Sequence, residues 1–254
     1  MKKTKLVVCY HFGRSGSTLL SDCLSQNSKI DSASELFTLL SMKGIKSEQM
    51  NLQTVLAHIE QKRIHSKKEF LYLEIKPMNF IGSNRCGFLK LHKQLAHYHQ
   101  AKTLYLRRNN VLKRVISSDK AAKIGIYHLD ADAKEKKNSN SIFLNLHEGY
   151  DYDARLFYVD LIDRLQMNIA LERKVINRLK KDAIDFKIIN YEDNLRTKKA
   201  LKITIDQLTD WLSIKREEFK VNLKQTSRGL RSDVKNFADM ERLLRKSDYS
   251  HFLE

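Results

Sequence analysis

The chain has 254 residues, 42 % of them hydrophobic and 30 % charged, with one proline (Pro77) and eight glycines. That balance suits a single α/β domain over residues 1–254 and excludes a disordered, fibrous or linker-rich chain. The net charge of +17 attracts polyanions, and three scattered cysteines (Cys9, Cys23, Cys86) argue against a disulfide framework and a zinc site. Residues 5–10 (KLVVCY) predict a buried strand, and the turn beginning at His11 leads into a helix on which Leu19, Leu20, Cys23 and Leu24 recur. This first apolar run is too short for a signal peptide and no stretch reaches transmembrane length, so the expectation is a cytoplasmic protein without stable membrane insertion.

Further along, residues 50–59 carry a helical stripe. Residues 70–76 (FLYLEIK) predict a strand closed by Pro77, and residues 102–107 (KTLYLR) another. A helix bearing Val111, Leu112, Val115 and Ile116 follows Asn109 and Asn110. Residues 128–150, with Lys134, Lys136 and Lys137, read as a polar loop, and residues 150–181 as one long helix. A strand over residues 185–190, a helix over 203–212, a polar stretch over 222–231 and a last helix capped by Ser232 complete the pattern. Strands alternating with helices predict a P-loop-like parallel sheet flanked by helices on both faces, with ligands at the carboxyl ends of the strands.

The densest chemistry lies in Gly13-Arg14-Ser15-Gly16-Ser17-Thr18. A turn that leaves a strand and opens a helix aims several backbone N–H groups, and the positive end of the helix dipole, at one point. That point suits phosphate or sulfate oxygens. Ser15, Ser17 and Thr18 add hydroxyls, Gly16 lets the backbone approach, and Arg14 adds a charged fork. A nucleoside-triphosphate loop would carry Lys where Ser17 stands, so a small P-loop kinase is the weaker alternative. A non-catalytic nucleic-acid-binding protein is favoured only by the charge.

These residues resemble the 5′-phosphosulfate loop of the sulfotransferases that use 3′-phosphoadenosine 5′-phosphosulfate (PAPS), nearest to the bacterial carbohydrate enzymes of the trehalose and nodulation-factor types. The resemblance implies that Arg14, Ser15, Gly16, Ser17 and Thr18 hold the 5′-phosphosulfate. Residues 106–117 resemble the family's 3′-phosphate segment, which implies that role for Arg108 and Ser117. The spacing is shifted by one, so Arg107 or Ser118 could replace either. Tyr191, in the Tyr-Glu-Asp segment, would lie against adenine. Lys224 and Arg228 belong to a segment resembling the late basic stretch that closes over the nucleotide.

The resemblance implies in-line transfer of a sulfuryl group from PAPS, as co-substrate and without a metal, to a hydroxyl of a carbohydrate or glycolipid. Nucleic acid is not an expected partner, and a homodimer stays open. For the base that takes the hydroxyl proton, Glu35 in Ser32-Ala33-Ser34-Glu35-Leu36-Phe37 is favoured, with a capping role near Ser32 and Ser34 as the competing reading. His92 and His97 are fallback bases. Lys76, after the strand at 70–75, is a candidate substrate-binding residue.

Overall fold

The computed structural model describes residues 3–36, 51–80, 87–124, 141–151, 156–181, 186–223 and 229–254. The chain divides into two compact units: Met1–Arg107 with Val175–Lys220, and Arg108–Lys174 with Val221–Glu254.

The first unit is built on five strands: β1 (Lys5–His11), β2 (Ile30–Glu35), β3 (Phe70–Ile75), β4 (Lys102–Arg107) and β7 (Phe186–Asn190). They form one parallel sheet in the order β2-β3-β1-β4-β7. β1 is central, and Leu6, Val7, Val8, Cys9 and Tyr10 are all buried, because a strand covered on both faces needs a continuous apolar run rather than an alternating one. Phe70, Leu71, Tyr72, Leu73 and Ile75 do the same on β3.

The connection from β1 to β2 runs through α1 (Ser17–Ser25) and steps across the sheet one way. Those from β2 to β3, through α2 (Leu52–His65), and from β3 to β4, through α3 (Phe88–Lys93), step back the other way. Right-handed crossovers therefore put α1 on one face and α2 and α3 on the other, which is the layered α/β arrangement expected from the sequence. α1 packs on β2 and β3. The direction reverses at β1, so the crevice between the carboxyl ends of β1 and β4 is the place where such sheets take ligands. α6 (Lys198–Leu212) follows β7, and Thr197 caps it by accepting from the Ala200 N–H at 3.1 Å.

The second unit contains α4 (Val111–Ile124), a two-stranded ribbon of β5 (Gly149–Asp151) and β6 (Leu156–Tyr158), most of α5 (Leu161–Lys181), a short α7 (Leu230–Asp233) and α8 (Phe237–Arg245). Its apolar core joins Leu112, Ile116, Leu161, Leu165, Met240 and Leu244. Beside that core lies a buried ionic network. The Arg164 guanidinium donates to both Asp119 oxygens at 2.8 Å and to Asp151 at 2.7 Å, while Arg114 donates to Glu172 and Asn168 at 3.0 Å. These carboxylates push the Arg164 pKa up against the opposing effect of burial.

Four local expectations change. Residues 30–35 are a strand that the polar sequence IDSASE did not advertise. The helix expected over 150–181 begins only at Leu161, because residues around Tyr150 pair as the antiparallel ribbon. The helix expected over 203–212 starts earlier, at Lys198. Ser232 does not cap the last helix. It lies within α7, where its hydroxyl donates to the Gly229 carbonyl at 3.1 Å, and Asn236 holds the cap position of α8. Cys9 and Cys23 are buried core thiols, as expected, and burial with help from Asp22 pushes Cys23 up to about 12. Cys86 and Lys134, Lys136 and Lys137 lie outside the described residues.

Candidate functional site

The turn after β1 has the backbone that the sequence demands. Arg14 sits at φ 61° and Gly16 at φ 90°, both in the left-handed region. A left-handed arginine is uncommon and marks a constrained turn. Gly16 is also the cap residue of α1, and no side chain at that position caps the helix. No acidic residue stands in that first turn. The result is a helix N-terminus at the carboxyl end of the central strand, with an arginine beside it.

Where the turn's hydroxyls go is less expected. Ser15 is fully buried and its hydroxyl donates back to the Phe12 carbonyl inside the turn. Ser17 is buried too, and its hydroxyl favours the charged form of Glu74 on β3. Arg14 and Thr18 are partly exposed.

The remaining expected residues of the first unit come from the same edge of the sheet. Glu35 ends β2 and Lys76 follows β3, and the two form an ion pair at 3.0 Å between Nζ and Oε2. Asn79, in the 3₁₀ turn Pro77–Asn79, donates to the other carboxylate oxygen of Glu35 at 3.3 Å. Both side chains of the ion pair keep partial solvent access, at 21 % for Glu35 and 26 % for Lys76. Arg107 ends β4 on this edge. Tyr191 opens the π-helical turn Tyr191–Leu195 directly after β7, and its ring lies against Gly16.

His92 is not exposed to solvent. It is fully buried, with Nδ1 3.0 Å from the Tyr10 hydroxyl and its ring against Phe88, in the surroundings of a core histidine. His97 lies in the turn Gln94–Tyr98 that leads towards β4. Arg108 and Ser117 belong to the second unit: Arg108 is buried just before α4, and Ser117 lies within α4. Lys224 and Arg228 lie outside the described residues.

Sequence reasoning missed a buried polar cluster directly beneath the turn. Glu74 is 6 % exposed, and the Ser17 and Ser21 hydroxyls of α1 favour its charged form. His11, the last residue of β1, places Nε2 3.3 Å from a Glu74 oxygen, and the Ser32 hydroxyl of β2 stands 2.8 Å from that of Ser21. Burial alone would raise the Glu74 pKa. The surrounding donors outweigh it and hold the carboxyl below the usual glutamate range. The one available signal was a lone acid inside the apolar run FLYLEI, since a buried carboxylate has to find partners.

The fold and this turn define the chain as an α/β protein with a P-loop-like parallel sheet. No protein-family model matches it, and no curated protein does either. Among solved structures it is similar to the shikimate kinase of Bacteroides thetaiotaomicron, with 12 % identity over 83 % of this chain and 99 % of that one and a TM-score of 0.35.

Proposed function

We propose that the chain transfers a sulfuryl group from PAPS to a hydroxyl of a carbohydrate or glycolipid. The observation that carries this reading is the turn at residues 13–18. It combines two left-handed residues, an uncapped helix N-terminus and a flanking arginine at the switch point of a parallel sheet. Such a turn suits a terminal anion of a nucleotide. The position that would carry the phosphate-binding lysine of a kinase instead carries Ser17. That favours sulfuryl over Mg²⁺-dependent phosphoryl transfer.

In this reading the amides at the start of α1 and the Arg14 guanidinium hold the 5′-phosphate, with Gly16 allowing close approach. Tyr191, whose ring lies against Gly16, borders the nucleoside. The acceptor oxygen attacks sulfur in line as the bond from sulfur to the 5′-phosphate oxygen breaks. The products are a sulfate ester and 3′-phosphoadenosine 5′-phosphate. Glu35, fixed in place by Lys76 and Asn79, accepts the hydroxyl proton, and Lys76 lies where it can also meet the sulfuryl oxygens. Arg14 stabilises the charge that builds on the leaving phosphate.

The test is thermal unfolding with 3′-phosphoadenosine 5′-phosphate or with ATP and Mg²⁺, followed by transfer of radiolabelled sulfate to a panel of sugars. The reading expects a rise in melting temperature with the first ligand alone, and transfer that Arg14→Ala nearly abolishes. Stabilisation by ATP and Mg²⁺ alone would mark a kinase instead, and wild-type transfer by Arg14→Ala would contradict the role given to the turn.

A further inference from the structure

We propose that the groove between the outer edge of β7 and α6 binds an extended acidic peptide, which adds a strand to the sheet. The groove lies outside residues 13–18, so its test leaves the reading of that turn untouched.

Strand β7 ends the sheet order, and among the described residues its one strand partner is β4. A strand turns the N–H and C=O groups of alternate residues to opposite sides. Half of those on β7 therefore face away from β4, with no strand to pair with among the described residues. Between β7 and α6 lies a cavity of about 770 Å³, a size that suits a bound ligand. Ile188, Ile189 and Leu208 supply its apolar part, and Ile188 is 39 % exposed, which is apolar surface that an added strand would cover. The five residues of β7 give about 16 Å of edge, room for about five residues of a partner.

Charge selects that partner. The Lys102 ammonium lies 4.5 Å from the centre of the Trp211 ring and the Lys187 ammonium 5.7 Å from it. Lys102 also donates to the Trp211 carbonyl at 3.0 Å, which fixes its cation there. Asp210, an acid in the lining, accepts from Arg216 Nε at 2.9 Å, so its charge is matched by its own cation. The groove is therefore cationic. A lysine on an edge strand ordinarily repels another strand, but carboxylates on the incoming strand turn that repulsion into attraction. Side chains alternate along a strand, so acids at every second position all meet the face that carries Lys187. A sulfated glycan shares the charge but brings no row of N–H and C=O groups to pair with the edge.

Trp211 is the only tryptophan of the chain and lines the groove, so its emission reports on binding there. The probe is a capped heptapeptide of alternating glutamate and valine, titrated into the whole chain. The controls are the same peptide with lysine for glutamate, the same peptide N-methylated at every residue, and heparin. The first peptide is expected to change the Trp211 emission saturably, and the two control peptides to bind at least about tenfold more weakly. Lys187→Glu should weaken the glutamate peptide about tenfold or more and favour the lysine peptide. Lys187 is exposed, so the variant should keep the wild-type melting temperature. Should it fail to fold, Lys187→Gln is expected to weaken the glutamate peptide about threefold or more. Equal binding of the N-methylated peptide would show that charge alone acts and would overturn the proposal. Heparin that binds and excludes the peptide would mark a polyanion surface and overturn it too. Unchanged emission with the glutamate peptide, or unchanged affinity in the Lys187 variants, would do the same.

Discussion

The aromatic ring of Tyr191 lies against the backbone of Gly16. A Cβ at position 16 would stand 2.7 Å from Tyr191 Cδ2 and 3.3 Å from Leu195 Cδ1. The turn after β1 and the turn after β7, which lie far apart in sequence, are thus fitted together through a position that only glycine fills without strain.

Gly16→Ala therefore meets two penalties. The left-handed backbone costs about 1–2 kcal/mol for a residue with a Cβ, and the clash with Tyr191 adds about 1–3 kcal/mol. In a Tyr191→Ala background the second penalty disappears and the first remains. Urea unfolding of the four proteins measures both. Equal costs in the two backgrounds would show that the ring does not constrain the turn.

Glu35→Gln removes the charge that Lys76 pairs with. Both groups are partly exposed, so the loss of stability should stay within about 1 kcal/mol. Turnover should fall by about two orders of magnitude or more if the carboxylate accepts the acceptor's proton, while affinity for 3′-phosphoadenosine 5′-phosphate stays within about threefold of wild type. Steady-state transfer assays and calorimetry separate the two quantities. A folded variant with wild-type turnover would remove Glu35 from the chemistry.

Much of this arrangement is legible in the sequence where the signal is local. KLVVCY, FLYLEI and KTLYLR each form strands because continuous apolar, β-branched or aromatic runs fit a sheet covered on both faces. The turn at residues 13–18 is also where the spacing put it. The failures have a common cause. IDSASE is a strand because β3 offers it a hydrogen-bonding edge, not through its own propensity. The stretch around Tyr150 pairs with Leu156–Tyr158 although its periodicity runs on into the helix. Glu74 and His11, or Glu35 and Lys76, meet only once parallel strands bring distant residues side by side, and no window of sequence contains both partners.

Arg164 anchors the second unit through Asp119 and Asp151. Its side chain is 3 % exposed. Arg164→Met leaves two acids without their cation, one of them deeply buried, and should cost about 3–5 kcal/mol in chemical unfolding. Adding Asp119→Asn and Asp151→Asn should recover part of that loss. A cost below about 1 kcal/mol would mean that the network contributes little.

Glu74 sets a pH dependence. Its carboxyl is held below the ordinary value, which is about 4.3, so its ionised form stabilises the fold. That contribution is fully present above the unfolded value and is lost as pH falls through the folded one. The stability gap between wild type and Glu74→Gln should therefore be constant near neutrality and shrink in acid below about pH 4.3. A gap that widens on acidification would give the linkage the opposite sign.

A crystal structure with 3′-phosphoadenosine 5′-phosphate tests the central claim most directly. The nucleotide's 5′-phosphate should lie on the amides at the start of α1, within hydrogen-bonding distance of Arg14. A 5′-phosphate bound away from residues 13–18 would contradict it.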